Sequence, residues 1–357
     1  MTSAGRPTRI VIEEIDDGNR EAVIAFTNAH QDRPQTAAYE SWRYRDCPAM
    51  QASVAMTDGE CIATMFALRR TYRTADGERV FLEPFEWHAS EAWRAQAPGL
   101  RLVKHYMRGE TPLIAVAGTD MAAGLLVRLK WTQVATVERF ALPLSGRYLA
   151  GRGRGPLVAG VFDVAGRAFF TPRRPRRSAL ELEPASVPAP GIAALVAAQR
   201  RFALMRAPDP ETSRWLQRAP SSLGAYMTFH ARSEGALVGW ATARVFPHGS
   251  LLHGELLEVF LADHSREHYP ELVAQVSATL AGFGADVLTA ATTCPDTIRA
   301  LRALRFRPDD HRPAFAWWGR TAAPTGPVLV DGAISDHAFF PQQTSGGSAW
   351  LEAPAVR

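Results

Sequence analysis

The sequence predicts an α/β (α+β) protein made of two similar halves, each a mixed, largely antiparallel sheet flanked by helices. Three observations lead there. The chain has 357 residues, more than one core usually organises, since domains cluster near roughly 100–150 residues. Landmarks of the first half return in the same order in the second. A stretch rich in Gly, Arg and Pro lies between them. These features predict a first domain over 1–146, a linker over 147–191, a second domain over 192–320 and a tail over 321–357.

The repeat is faint at any one position. Trp42 and Pro48 precede an Asp58-Gly59 turn, as Trp215 and Pro220 precede Glu234-Gly235. The strand-like Ala63–Leu68 matches Gly239–Arg244. Glu83 and Glu86 return at a constant offset as Glu255 and Glu258, and Arg94 as Arg266. Leu126, Leu129 and Trp131 have the same spacing as Leu301, Leu304 and Phe306. Preserved order over about ninety residues is the sign of duplication.

Within the first half, Arg9–Ile15 reads as a strand and Glu21–Asn28 as a helix that buries Val23, Ile24 and Phe26. Asp58-Gly59 and Asp76-Gly77 predict hairpins, because Asp-Gly suits the primed turns that match strand twist. Leu100, Val103 and Met107 fall at helical spacing, Leu113–Ala117 reads as a buried strand, and Asp120–Lys130 as a further helix. In the linker Leu157–Phe162 looks strand-like, and in the tail Val328–Val330 does.

Composition narrows the function classes. Hydrophobic residues at 46% and charged residues at 21% can build a packed core and exclude a chain disordered throughout. The first residues contain no apolar run of signal or membrane-span length, so a cytoplasmic protein without a membrane partner is expected. The three cysteines, Cys47, Cys61 and Cys294, lie far apart in no metal-ligand spacing, which predicts reduced thiols and no metal. Net charge is +4 and almost wholly arginine, with lysine only at Lys104 and Lys130. The densest run, Arg173-Arg174-Pro175-Arg176-Arg177, has no interleaved aromatics and reads as a solvated linker, which argues against a nucleic-acid face. No GxSxG, HExxH, Walker loop or CxxC pair occurs.

Between the strand that carries Glu83 and Glu86 and the helix led by Leu100 lies Arg94-Ala95-Gln96-Ala97-Pro98-Gly99. With that loop, the order of elements resembles the GNAT acyl-CoA N-acyltransferase superfamily in a tandem arrangement. In that family the loop after the fourth strand carries R/QxxGxG/A; here the first and last positions match and the middle glycine is Ala97. The chemistry explains the pattern, since N–H groups at a helix N-terminus and the helix dipole attract a pyrophosphate. Small residues admit it, and Pro98 loses little by lacking an N–H there. An alanine can replace the middle glycine if its φ is negative.

The resemblance implies an acyltransferase that moves an acetyl or other acyl group from acyl-CoA to an amine of a small-molecule acceptor, without a metal. Arg94, Gln96, Ala97, Gly99, Leu100 and Arg101 are the expected acyl-CoA contacts. Glu86, Glu83 and His88 are the candidates for taking the amine's proton, with Glu86 preferred. Strand alternation sends Glu83 and Glu86 to opposite faces unless Pro84 marks a bulge. Trp87 and Trp93 flank the cleft and are candidates to line an acceptor pocket. The family often places a tyrosine acid near the next helix, and none begins the helix at Asp120. The second half has Arg266-Glu267-His268-Tyr269-Pro270-Glu271 in the loop position, where Tyr269 and Glu271 would block phosphate. One acyl-CoA per chain, in the first half, follows. Two other readings stay open: a catalytically silent binding or scaffold protein, and acyl or aminoacyl transfer from a tRNA or carrier protein.

Overall fold

The structure, a computed structural model, describes residues 9–30, 36–166, 172–173, 175, 177–320 and 323–334. The first half runs β1 (Val11–Glu14), α1 (Arg20–Ala29), α2 (Ala37–Tyr44), β2 (Met50–Thr57), β3 (Glu60–Thr74), β4 (Gly77–Ala89), a 3₁₀ turn (Glu91–Gln96), α3 (Pro98–Arg108), β5 (Leu113–Val116), α4 (Asp120–Arg128) and β6 (Thr132–Pro143). After α5 (Gly146–Gly151) and α6 (Pro156–Val161), the second half begins with β7 (Glu181–Ala185) and α7 (Pro190–Ala198). It continues through β8 (Leu204–Arg206), α8 (Pro210–Gln217), β9 (Ala225–Ser233), β10 (Ala236–His248) and β11 (Leu251–Leu261). It closes with a 3₁₀ turn (Asp263–His268), α9 (Tyr269–Gly282), β12 (Val287–Thr292), α10 (Pro295–Ala303), β13 (Arg307–Trp317) and β14 (Val328–Leu329).

Local chemistry sets these boundaries. Both hairpins of the repeat turn through paired positive φ values, 48° and 83° at Asp58-Gly59 and 50° and 79° at Glu234-Gly235, as a type I′ turn requires. Thr36 and Thr119 accept from the backbone N–H groups of Tyr39 and Ala122, capping α2 and α4, and Asp209 with Pro210 starts α8. The linker segment read as strand-like is helical instead. Pro156 stands at the first helical position of α6, and a π turn over Phe162–Gly166 follows. The strand β7 also lies within the stretch read as linker. The tail strand forms at β14, paired with β8. Arg174 and Arg176 of the arginine run, and 321–322 and 335–357 of the tail, lie outside the described residues.

One sheet unites both halves in the order β1-β2-β3-β4-β5-β13-β6-β12-β11-β10-β9-β7. The last strands are exchanged. β13, from the second half, lies between β5 and β6, while β6, from the first, lies between β13 and β12. The resemblance implies a closing hairpin within each half. What forms is a pairing of the two closing strands with each other, and each fills the slot the other half leaves open.

α1 and α2 cover one face of the first half, where Val23, Phe26, Tyr39 and Trp42 pack on Val54, Phe66, Leu68 and Phe85. α3 and α4 cover the other, through Leu102, Val103, Tyr106 and Leu126. The two halves meet at Trp42 and Trp215, whose rings stack with centroids 4.2 Å apart and planes 6° from parallel. Each indole Nε1–H donates to the other residue's backbone carbonyl, at 2.8 and 2.7 Å. Equivalent residues thus make equivalent bonds across a local two-fold. Arg206 also joins the halves, standing 3.9 Å from Glu83 of the first while it donates to Glu258 and to the Ala333 carbonyl (2.8 Å) and faces Asp331 at 3.4 Å. Burial pushes the Asp331 carboxyl up to about 7, against the pull of Arg206.

Candidate active site

The two halves differ where their fourth and fifth strands diverge. β11 and β12 run parallel in register from His253–Val287 to Leu256–Ala290. In the first half β4 meets β5 only at Leu82–Leu113. Beyond that point the ladder has a gap: no pair joins the Glu83–Ala89 segment to Ile114–Val116 among the described residues. The divergence coincides with a bulge at Glu86, whose φ of 46° is left-handed. Pairing with β3 is irregular between Thr64 and Phe66, and the Thr64 hydroxyl donates to the Glu86 carbonyl at 3.2 Å.

The bulge settles the faces of the two glutamates. Glu83 lies opposite Leu68, and Phe85 opposite Phe66, on the side covered by α1 and α2. Glu86 reaches the same side and bonds Arg43 of α2. The irregularity expected at Pro84 is therefore present, but at Glu86. Both carboxylates are buried. Glu86 is ion-paired with Arg43, which also donates to the Tyr39 hydroxyl at 2.5 Å. Glu83 accepts from the Tyr72 hydroxyl at 2.6 Å and stands 3.9 Å from Arg206. His88 is half-buried past the bulge, its ring 6.1 Å from that of His30. Burial pushes its pKa below the ordinary imidazole value, with His30 and Arg43 adding to the effect.

After β4 the chain makes the 3₁₀ turn that holds Arg94 and Gln96 and reverses at Ala97, whose φ is 50°. The condition of a negative φ is thus not met. Ala97 occupies the left-handed conformation that the family's glycine suits, at a cost of about 1 kcal/mol for an L-residue. α3 starts at Pro98 with no side-chain cap, so the N–H groups of Gly99 and Leu100 point out of its first turn. Gly99 is small for a second reason. A Cβ there would lie 2.8 Å from the Trp87 indole nitrogen, which donates to the Gly99 carbonyl at 3.0 Å. Trp87 and Trp93 both pack into the α3-side core. Arg94 and Arg101 are exposed, and the Arg101 guanidinium donates to the Gln96 carbonyl at 3.1 Å.

The matching corner of the second half is filled. Tyr269 is 1% exposed, and its hydroxyl accepts from the Leu261 N–H at 3.1 Å. Glu271 accepts from the Ser178 hydroxyl (2.6 Å) and the Ala179 N–H (2.8 Å), which lays the incoming chain across the start of α9. Arg266 is paired with Asp296 at 2.9 Å.

Sequence reasoning missed Arg43, Tyr72 and Arg206. Each is a polar group on a face that otherwise reads as apolar. The available signal was the pair of glutamates in a buried strand, since a buried carboxylate demands a partner.

No family model and no curated protein matches the sequence. Solved structures do match. Saccharomyces cerevisiae N-myristoyltransferase with bound myristoyl-CoA is 15% identical, with a TM-score of 0.62 over 91% of this chain and 87% of that one. A GCN5-related N-acetyltransferase from Anabaena variabilis is 8% identical, with a TM-score of 0.56 over 86% of this chain and 72% of its own. An Enterococcus faecalis protein described as a probable N-acyltransferase is 9% identical, with a TM-score of 0.57 over 87% and 72% of the two chains. At such identities the likeness speaks to fold. With the duplicated order of elements, it shows that the chain carries the two-domain GNAT fold.

Proposed function

We propose that this protein is an acyl-CoA N-acyltransferase that holds its donor in the first half and acylates an amine, in our reading that of a small molecule. The observation that carries this is the asymmetry between two copies of one fold. The first copy has a gap between β4 and β5 that leads to an uncapped helix start. The second has a longer β11–β12 ladder, which runs to Leu256–Ala290, and its helix start is covered by Tyr269, Glu271 and the chain at Ser178–Ala179. In this reading the pantetheine arm lies in the gap. The pyrophosphate rests on the N–H groups of Gly99 and Leu100, admitted by the turn at Ala97, with Arg94, Gln96 and Arg101 around it. The amine attacks the thioester carbonyl, its proton passes to a base, and the CoA thiolate leaves.

Of the three candidate bases we favour His88. Glu86 and Glu83 are buried charges held by Arg43, Tyr72 and Arg206, so we assign them to positioning β4. His88 is partly exposed and is kept uncharged near neutrality by burial. The sign follows. With its pKa held below 6.5, the imidazole is a competent base through the neutral range and is lost only as pH falls further. His88→Gln is expected to lower kcat by roughly a hundredfold, within the usual range for a general base. It should also remove the acid limb of the pH–rate profile. A variant that keeps that limb would exclude His88.

The donor assignment is tested by calorimetry with acetyl-CoA and longer acyl-CoAs. One equivalent per chain is expected. Two equivalents would show that the second half binds as well, and none with any acyl-CoA would favour a silent binding protein.

A further inference from the structure

A second feature runs along the outer flank of α3, from Arg101 at the edge of the proposed phosphate site to Arg108. Arg101, Lys104, His105 and Arg108 form one exposed row on this helix, which carries no acidic residue. The row borders an open groove of about 460 Å³ whose other wall is residues 9–12 at the start of the chain. Arg9 adds a fifth basic group. None of the five is ion-paired with a carboxylate among the described residues, whereas Arg147, Arg201, Arg206, Arg232 and Arg302 all are. Uncompensated like charges held side by side are unfavourable unless an anion relieves them.

The opposite wall is a sheet edge. β1 is the terminal strand of the sheet and pairs only with β2 among the described residues. It therefore offers a row of free backbone donors and acceptors, a template for one more strand. We propose that this groove docks an extended acidic peptide segment of another protein, which adds to β1 as a strand and turns its carboxylates toward α3. The dimensions match. The basic row spans roughly 10 Å at about 1.5 Å per residue, and acids at alternate positions of a strand stand roughly 7 Å apart. Two such acids face the whole row.

Other occupants fit less well. No Phe, Tyr or Trp side chain lines the groove, so single-stranded bases would lack the large ring platforms that usually hold them. A planar anionic membrane cannot follow a concavity beside a strand edge. Glu13 and Glu14, exposed at the far end of β1, confine the acids of the docked strand to the stretch beside residues 9–12. The chain's own undescribed segments lack the pattern, since 1–8 and 167–171 contain no acid, 31–35 has only Asp32, and 335–357 has only Asp336 and Glu352, far apart.

The test is fluorescence polarisation of the whole protein with a labelled peptide of about eight residues, acids alternating with Val and Thr, an arrangement suited to strand addition. Comparison probes are the same peptide N-methylated at alternate amides, a lysine version, an oligouridine and phosphatidylserine vesicles. The acidic peptide is expected to bind, and the double variant Lys104→Glu/Arg108→Glu to weaken it by about tenfold or more. N-methylation should weaken it as well. Equal binding of the lysine or N-methylated peptide, or tighter binding of oligouridine or vesicles, would overturn the proposal. So would an unchanged affinity in a double variant that retains the wild-type thermal transition.

Discussion

Gly99→Glu is expected to remove acyl-CoA binding. The substitution gives the first half the residue that the second half carries at Glu271, one position into the same helix. A carboxylate about 4 Å from a phosphate is repelled by around 4 kcal/mol at a surface-like dielectric, so affinity should fall roughly a hundredfold or more. The local geometry requires a control. Any Cβ at this site presses on the Trp87 indole, so Gly99→Ala reports the steric part alone and the difference between the two variants reports the charge. Calorimetry on both separates them. Wild-type affinity in the glutamate variant would mean that the donor's phosphates lie elsewhere.

Glu86→Gln is expected to lower stability by about 3–5 kcal/mol, because it removes one member of a fully desolvated pair. The Glu86 side chain is 0% exposed and that of Arg43 2%. The guanidinium carbon also sits 5.0–5.5 Å from the ring centres of Tyr39, Tyr44, Phe66 and Phe85. Those rings temper a buried cation but do not balance it. Urea titration monitored by tryptophan fluorescence measures the loss. A loss below about 1 kcal/mol would mean that water reaches the pair. The same variant weighs the two roles open to Glu86. If its backbone bulge is what matters, turnover below the transition should survive; if the carboxylate takes the proton, turnover should collapse while the fold holds at low temperature.

The fold was legible because its signals are local. The Asp58-Gly59 turn, the matching Glu234-Gly235 turn and the paired glutamates at fixed offset identify a repeated unit, and turn chemistry reads from two residues at a time. The contrast between Gly99 and Glu271 was legible for the same reason. What the sequence hid is long-range. Nothing in Thr132–Pro143 or Arg307–Trp317 says that these strands pair with each other. Register across halves is decided by which slot is open in the assembled sheet, not by pattern along the strand. The helix at Pro156–Val161 was misread because a short apolar run serves strand and helix equally. Arg43 gave no sign of its role, because a single arginine beside Trp42 on an amphipathic helix reads as surface until its partner is known.

The exchange of closing strands means that neither half is a complete object. Cut between the halves, the first would keep β5 with no neighbour on its outer side and β6 with nothing to pair against, since β13 supplies both. The second would lack β6, and with it the support for β12. Each fragment would thus expose unpaired edges flanking a slot one strand wide, which is the shape that a second copy of the same fragment fills. A single ancestral unit of this kind is self-complementary. Two copies of it would interlock as a homodimer, and joining them in tandem would turn that association into an intramolecular one. Fusion then frees the two copies to diverge, so that one can close its cleft with a tyrosine and a glutamate while the other keeps its cleft open.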